Sequence, residues 1–392
     1  MTELTPLLPD IAWPITILIA WLAGERGYQR FKLPRLSAYA LVGFACGPAQ
    51  LGLLPRNQSD LVLLLANLAF SLMLFECGYR INLRWIQCNP WIAVSSIAES
   101  ALSFGAVYVV LIAFGQPTTM SLLLAALAMA SSPATMVRVV TELRSSGQAT
   151  ERLLHLSTLN TVLSVVVFKV ILGWAVLQSS GNLWKAAYNS LVVLSASILV
   201  GLAAGMLAPA LLKMTQRAGR DSTLASTIVL FCLVALTYAL RLSPEIAALT
   251  YGLCAWRRRL VLSTTQRGSG VLGELLSILL FVFISSQLDW RAVVAGAGLG
   301  VAFLLVRQCA KTIGISLFAH VSGTHWRKGV LIGLACAPSP AFVMLLFEQS
   351  RYMGGRLVDQ LPALALATLV LEIFGPLIVQ RALVWAHETP KF

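Results

Sequence analysis

The chain has 392 residues, of which 58% are hydrophobic and only 11% charged, with a mean hydropathy of +0.80. A soluble surface needs roughly 25% charged residues, so a soluble multidomain enzyme is excluded, as are disordered and fibrous classes. The formal net charge of +13 reads as the Lys and Arg excess of cytoplasmic loops in a membrane protein, with no nucleic-acid partner.

Windows of ~20 apolar residues predict an all-α polytopic membrane protein with thirteen spans, taken in order along the chain. They lie near 11–24, 36–54, 61–79, 90–113, 118–142, 152–178, 185–212, 222–240, 243–256, 272–288, 291–318, 328–350 and 360–385. With the N-terminus outside and the C-terminus in the cytoplasm, nineteen Lys and Arg fall in inside loops and six in outside loops, the expected positive-inside bias. The N-terminal segment carries Glu3 and Asp10 and does not read as a cleaved signal peptide. The spans predict one transmembrane domain over 1–392 with no soluble regulatory domain. No P-loop or strand-bounded GxGxxG appears, so no ATP-driven step and no cofactor is expected. The seven cysteines form no CxxC pair and lie at no metal-ligand spacing from a histidine; they read as small buried hydrophobes, and no metal is expected.

Two segments repeat. Ala128-Met129-Ala130-Ser131-Ser132-Pro133-Ala134 in the fifth span and Ala335-Cys336-Ala337-Pro338-Ser339-Pro340-Ala341 in the twelfth share the pattern Ala-x-Ala-x-Ser-Pro-Ala, 207 residues apart. Arg35-Leu36-Ser37, Gly43 and Cys46 are echoed by Arg241-Leu242-Ser243, Gly252 and Cys254. An odd number of spans separates the copies, so they enter the membrane from opposite sides: repeat one near 36–178, repeat two near 242–385. Proline removes a helix hydrogen bond, and broken backbone survives at membrane depth only where protein or water satisfies it. A matched pair of discontinuous helices, broken at Pro133 and at Pro338 and Pro340, is the sequence pointer to a transport site.

These motifs resemble the monovalent cation:proton antiporter superfamily. The resemblance rests on Leu33-Pro34-Arg35 through Gly43 and Gly47-Pro48, Leu74-Phe75-Glu76-Cys77-Gly78, Ser131-Ser132-Pro133-Ala134 followed by Glu142-Leu143, Lys311-Thr312-Ile313-Gly314, and Leu371-Glu372-Ile373-Phe374-Gly375-Pro376-Leu377. It implies two crossing broken helices in a mobile core, a dimerisation domain and hence a homodimer, an elevator-like motion, and no enzymatic activity. The implied function is exchange of a monovalent cation (Na⁺ or K⁺) for H⁺ across a bacterial inner membrane. The chain departs from the family where Asn160-Thr161 stands in place of an Asn-Asp or Asp-Asp pair, where Pro338-Ser339-Pro340-Ala341 replaces a Pro-Arg-Gly-Glu type sequence, and at Arg80.

Thr161 offers a cation-ligand oxygen but does not titrate at physiological pH. The candidate ion ligands are therefore Asn160, Thr161, Ser131, Ser132 and Ser339, with the proton carried elsewhere. Glu99 lies on a stripe with Ser96, Ser100 and Ser103 at helical spacing and is the substitute acid; Glu372, mid-way in the last span, is the second intramembrane carboxylate, for which the resemblance implies an ion pair. Lys311, Arg307 and Lys169 are the charge-balancing cations, Lys169 facing the core or pairing with Glu99 or Glu372, while Arg138 reads as an interface anchor. His155 and Glu151 read as a solvated pair. The absent aspartate would leave the crossing electropositive, so transport of an anion or organic solute, or a non-transporting scaffold or sensor, are the alternative readings.

Overall fold

The computed structural model describes residues 7–55, 60–81, 83–180, 192–214, 222–240, 242–257, 270–338 and 362–390. Among them are sixteen helices and no strand: α1 (Leu7–Phe31), α2 (Arg35–Cys46), α3 (Asp60–Arg80), α4 (Leu83–Cys88), α5 (Pro90–Ala113), α6 (Thr118–Met129), α7 (Pro133–Leu143), α8 (Gln148–Ser180), α9 (Val193–Met214), α10 (Ser222–Ala239), α11 (Pro244–Arg257), α12 (Gly270–Ser286), α13 (Trp290–Ala295), α14 (Ala297–Leu317), α15 (Trp326–Ala335) and α16 (Pro362–Trp385). Seven described segments are long and apolar enough to cross a membrane. The protein is an all-α polytopic membrane protein.

The helices repeat in order. Pro90 opens α5 and Ala297 opens α14, 207 residues later; Thr118 opens α6 and Trp326 opens α15, 208 residues later. Contacts exchange accordingly, α2 packing on α12 and α3 on α11, while α5 packs on its own counterpart α14. Two of the echoed glycines stand at these crossings. A Cβ on Gly43 would lie 2.6 Å from the Val282 Cα, and one on Gly252 would collide with the Phe75 carbonyl oxygen. Small residues let membrane helices approach backbone to backbone, so the two glycines are repeat-related contact points.

Three spans end differently from the hydropathy windows. The second span's helix stops at Cys46, because Pro48 cannot continue it and the chain folds back through Gly52 (φ 67°) to bond Leu54 N to Cys46 O at 3.1 Å. The eleventh is divided into α13 and α14 at Gly296. The fifth breaks into α6 and α7 at Ala130–Ser132. Here the residue chemistry is legible. Ser132 caps α7 by accepting from the Thr135 N–H at 3.3 Å, and Pro133 takes the first helical position, where its missing N–H costs nothing. In the twelfth span α15 ends at Ala335 and the chain stays non-helical through Pro338; Ser339 and Pro340 lie outside the described residues, as do Arg258 and Arg259.

Beyond α16, Glu388 ties three elements together. Its carboxylate accepts from the N–H groups of Ala149 (2.8 Å) and Thr150 (2.7 Å), from Thr150 Oγ1 (2.9 Å) and from Lys328 Nζ (3.1 Å). It thereby caps the N-terminus of α8, where a carboxylate meets orphan amides and the positive helix end. Burial pushes the Glu388 carboxyl up, but those donors outweigh it and hold it below the ordinary carboxylate range. A depressed folded-state value means stability that is present above the unfolded value and lost as pH falls through the folded one. Glu388→Gln is expected to lower stability near neutral pH by about 1.5–3 kcal/mol. Thermal unfolding in detergent should show the gap to the parent closing as pH drops below ~4.3; a gap independent of pH would refute the cap's ionic character.

Candidate functional site

The two breaks meet. Ser132 N donates to Pro338 O at 3.0 Å, and Ser131 Oγ donates to Cys336 O at 3.2 Å. Each half-helix that ends there, α6 and α15, turns unbonded carbonyls toward the crossing, and each such end carries about −0.5 elementary charge.

Two cations on α14 answer them. Arg307 donates Nε to Ala128 O (3.0 Å), Nη2 to Ala130 O (2.7 Å) and Nη1 to Ala337 O (2.7 Å). One guanidinium thus clips both half-helix ends, a use of its rigid fork that lysine cannot reproduce. Arg307 is 1% exposed, so the idea that such an arginine reaches the interface as an anchor does not apply to it. One turn further, Lys311 Nζ donates to Met129 O (2.7 Å), Ser131 Oγ (3.1 Å) and Glu99 Oε1 (2.6 Å). Both partners of the Lys311–Glu99 pair are fully shielded, at 0% side-chain exposure.

Glu99 reaches Lys311 because α5 and α14 nearly touch: a Cβ on Gly314 would fall 2.6 Å from the Glu99 Cα. Its second oxygen accepts from Asn160 Nδ2, and Ser103 Oγ donates to Oε1 at 3.2 Å. Asn160 Oδ1 in turn accepts from Ser96 Oγ (2.6 Å) and Ser100 Oγ (3.4 Å). The polar stripe on α5 is therefore a cradle for Asn160 and Glu99. Thr161 Oγ1 lies 2.6 Å from Ser131 O and 2.8 Å from Ser157 O, its one proton shared between the two carbonyls, which holds α8 against the first break. With no titratable group at Thr161, the carboxylate of the crossing comes from Glu99 of α5 instead of from α8.

The crossing thus gathers Ser131, Ser132, Pro133, Asn160, Thr161, Glu99, Lys311, Arg307 and Pro338. Three further residues lie elsewhere. Lys169 is buried on α8, with Glu245 of the first turn of α11 within electrostatic range. Glu372 is buried on α16, and its Oε1 has no hydrogen-bond partner among the described residues. Arg138 is half-buried and donates to Gly273 O at 2.7 Å. His155 is 2% exposed, packed on the Trp85 ring at 4.7 Å with Nδ1 2.7 Å from Glu151 O; it is a core side chain and not a solvated one. Glu245 and Glu388 escaped the sequence reading because each stands at a span end, where acids look solvated. No group of three or more metal-ligating side chains occurs among the described residues.

A family profile described as "Sodium/hydrogen exchanger, transmembrane" matches residues 15–385. A structure of the sodium proton antiporter MjNhaP1 from Methanocaldococcus jannaschii at pH 8 is similar, with a TM-score of 0.65 and 16% identity over 97% of each chain. An electron-microscopy structure of that antiporter aligns at a TM-score of 0.68, also 16% identical, covering 96% of this chain and 95% of that one. No match to a curated protein sequence was found.

Breaking a buried ion pair strands a charge and costs about 3–5 kcal/mol. Lys311→Gln and Glu99→Gln are each expected to destabilise the protein by that order, and the double variant by much less than their sum. Unfolding midpoints of the four proteins measure the coupling; additive losses would mean that the pair is not coupled.

Proposed function

The chain belongs to the sodium/hydrogen exchanger family, and from that premise we propose that it exchanges a monovalent cation, Na⁺ or K⁺, for a proton at the Glu99–Lys311 pair. The observation that carries this reading is the pair itself: the crossing offers one carboxylate, and a lysine ammonium occupies it. A cation can take Glu99 only if that ammonium leaves, and in a water-excluded site a displaced ammonium sheds its proton instead of remaining charged and unpaired. The cation's further oxygens are at hand in Asn160 Oδ1, Thr161 Oγ1 and Ser131 Oγ. Reprotonation of Lys311 reverses the step and expels the cation.

Charge conservation gives the coupling. The proton-loaded site holds Glu99⁻ with Lys311⁺; the cation-loaded site holds Glu99⁻, the cation and neutral Lys311. Both carry the same net charge, so one proton moves for one cation and no net charge crosses with the site. Glu99 exchanges its positive partner while Lys311 carries the proton. The same balance disfavours an anion, which would have to displace Glu99 from two donors.

The motion follows from where the polar bonds lie. The bonds of the crossing join α5, α6, α8, α14 and the two breaks, and α16 packs on α14 and α15. None of these bonds comes from α1–α3 or α9–α12. A six-span bundle moving as a unit against the other helices, in an elevator-like manner, would carry the site across without breaking it. We further infer a homodimer in a bacterial inner membrane, N-terminus outside, with one transmembrane domain built from repeats near 36–178 and 242–385.

In proteoliposomes with an internal pH dye, Na⁺ or K⁺ pulses should release protons in the parent. Glu99→Gln, which keeps the size and an accepting oxygen, should remove that response, and the parent's rate should be indifferent to an imposed membrane potential. Proton movement undiminished in Glu99→Gln would reject the site; a parent inert to both cations would leave the scaffold reading in its place.

A further inference from the structure

Away from the crossing, the described charges gather where α7 leaves the site and meets α1, α2 and α12. Arg35, the first residue of α2, donates Nε to Glu25 Oε2 of α1 at 3.0 Å and lies with Nη2 2.9 Å from the same oxygen. Its guanidinium carbon stands 4.6 Å from the Tyr28 ring centroid. Its remaining arm, Nη1, comes within 3.7 Å of Glu142 Oε1 in the last turn of α7. One turn earlier on α7, Arg138 Nη2 donates to Gly273 O at the start of α12. The arrangement joins two groups of helices. α7 begins at Ser132–Pro133, inside the crossing, whereas none of the crossing's bonds described above comes from α1, α2 or α12. One eleven-residue half-helix therefore has one end in the site and the other end held by charges outside it.

We propose that Arg35–Glu142, together with Arg138–Gly273, is an ionic latch that holds α7 against α1, α2 and α12 in one access state and opens when the bundle moves. This rests on the elevator-like motion proposed above. The chemistry suits a latch more than a permanent brace. At 3.7 Å the contact is longer than a hydrogen bond, with the Arg35 side chain 31% and the Glu142 side chain 11% exposed, and a pair of that length shifts a two-state ratio by only a few-fold. Arg35 also keeps Glu25 as a standing partner, so opening strands no guanidinium. The groups facing Glu142 are Arg35, Glu25 and Glu274.

The test uses the full chain in lipid nanodiscs, with nitroxide labels on Arg30→Cys and Ser146→Cys, both exposed positions, after replacing the exposed Cys88, Cys232 and Cys309 and the half-exposed Cys254 by serine. Spin–spin distances between α1 and the α7–α8 loop should show one dominant and one minor population. Arg35→Gln and Glu142→Gln should each raise the minor population about threefold, the double variant no further, and Arg35→Lys should stay near the parent. Distributions identical in the parent and both Gln variants would overturn the latch, as would effects that add in the double variant. Should Arg35→Gln fold poorly, Glu142→Gln alone decides, since it leaves the Arg35–Glu25 pair intact. The latch and the exchange site fail separately: Glu99→Gln stops flux without touching these distances, and the latch variants alter distances with the Glu99–Lys311 pair in place.

Discussion

A helix that stops inside a membrane leaves carbonyl oxygens with neither a helical partner nor water, and in a low-dielectric interior those oxygens need positive donors. In this protein two helices stop side by side, so the demand is doubled and concentrated in a small volume. Arg307 and Lys311 meet it from adjacent turns of α14, and every other feature of the crossing follows from having placed two cations there. Two buried cations against carbonyl partial charges alone would leave an excess, which Glu99 reduces. Glu99 can do so only because Gly314 lets α5 approach α14 to van der Waals contact of their backbones, and Asn160 with three serines fixes the direction in which its carboxylate points.

Arg307 and Lys311 divide the work by their chemistry. A guanidinium stays charged at any accessible pH and bonds three carbonyls from a planar fork, so it suits the permanent splice between the half-helices. An ammonium can lose its proton when displaced, so it suits the position proposed for exchange. The same division runs through the fold. Within the bundle, polar bonds join buried groups. Outside it, glycine-mediated backbone contacts join the repeats of the outer helices, and at its border the Arg35–Glu142 contact is long, at 3.7 Å.

Much was legible from sequence because it depends on local chemistry. Hydrophobic runs of membrane length set the class. Ser132-Pro133 within one of those runs marks a cap followed by a first helical residue, and the recurrence of the surrounding pattern 207 residues on marks an inverted repeat. The order of short motifs marks the family, and the spacing of Glu99 with three serines marks a polar face. The places where windows failed were also local in cause: Pro48 and Gly296 end helices inside apolar runs that hydropathy alone treats as continuous.

What remained undecided concerned pairs far apart in the chain. Glu99 and Lys311 are 212 residues apart, and no helical period relates them. Sequence showed that Thr161 could not titrate and that Lys311 needed an acceptor, but the identity of that acceptor depended on which face of α5 met α14. His155 was buried against Trp85 for the same reason. Residue types and their local spacing determine which groups must be satisfied within a membrane; only the packing of helices against one another determines which groups satisfy them, because burial and bond geometry belong to the assembled interior and not to any single span.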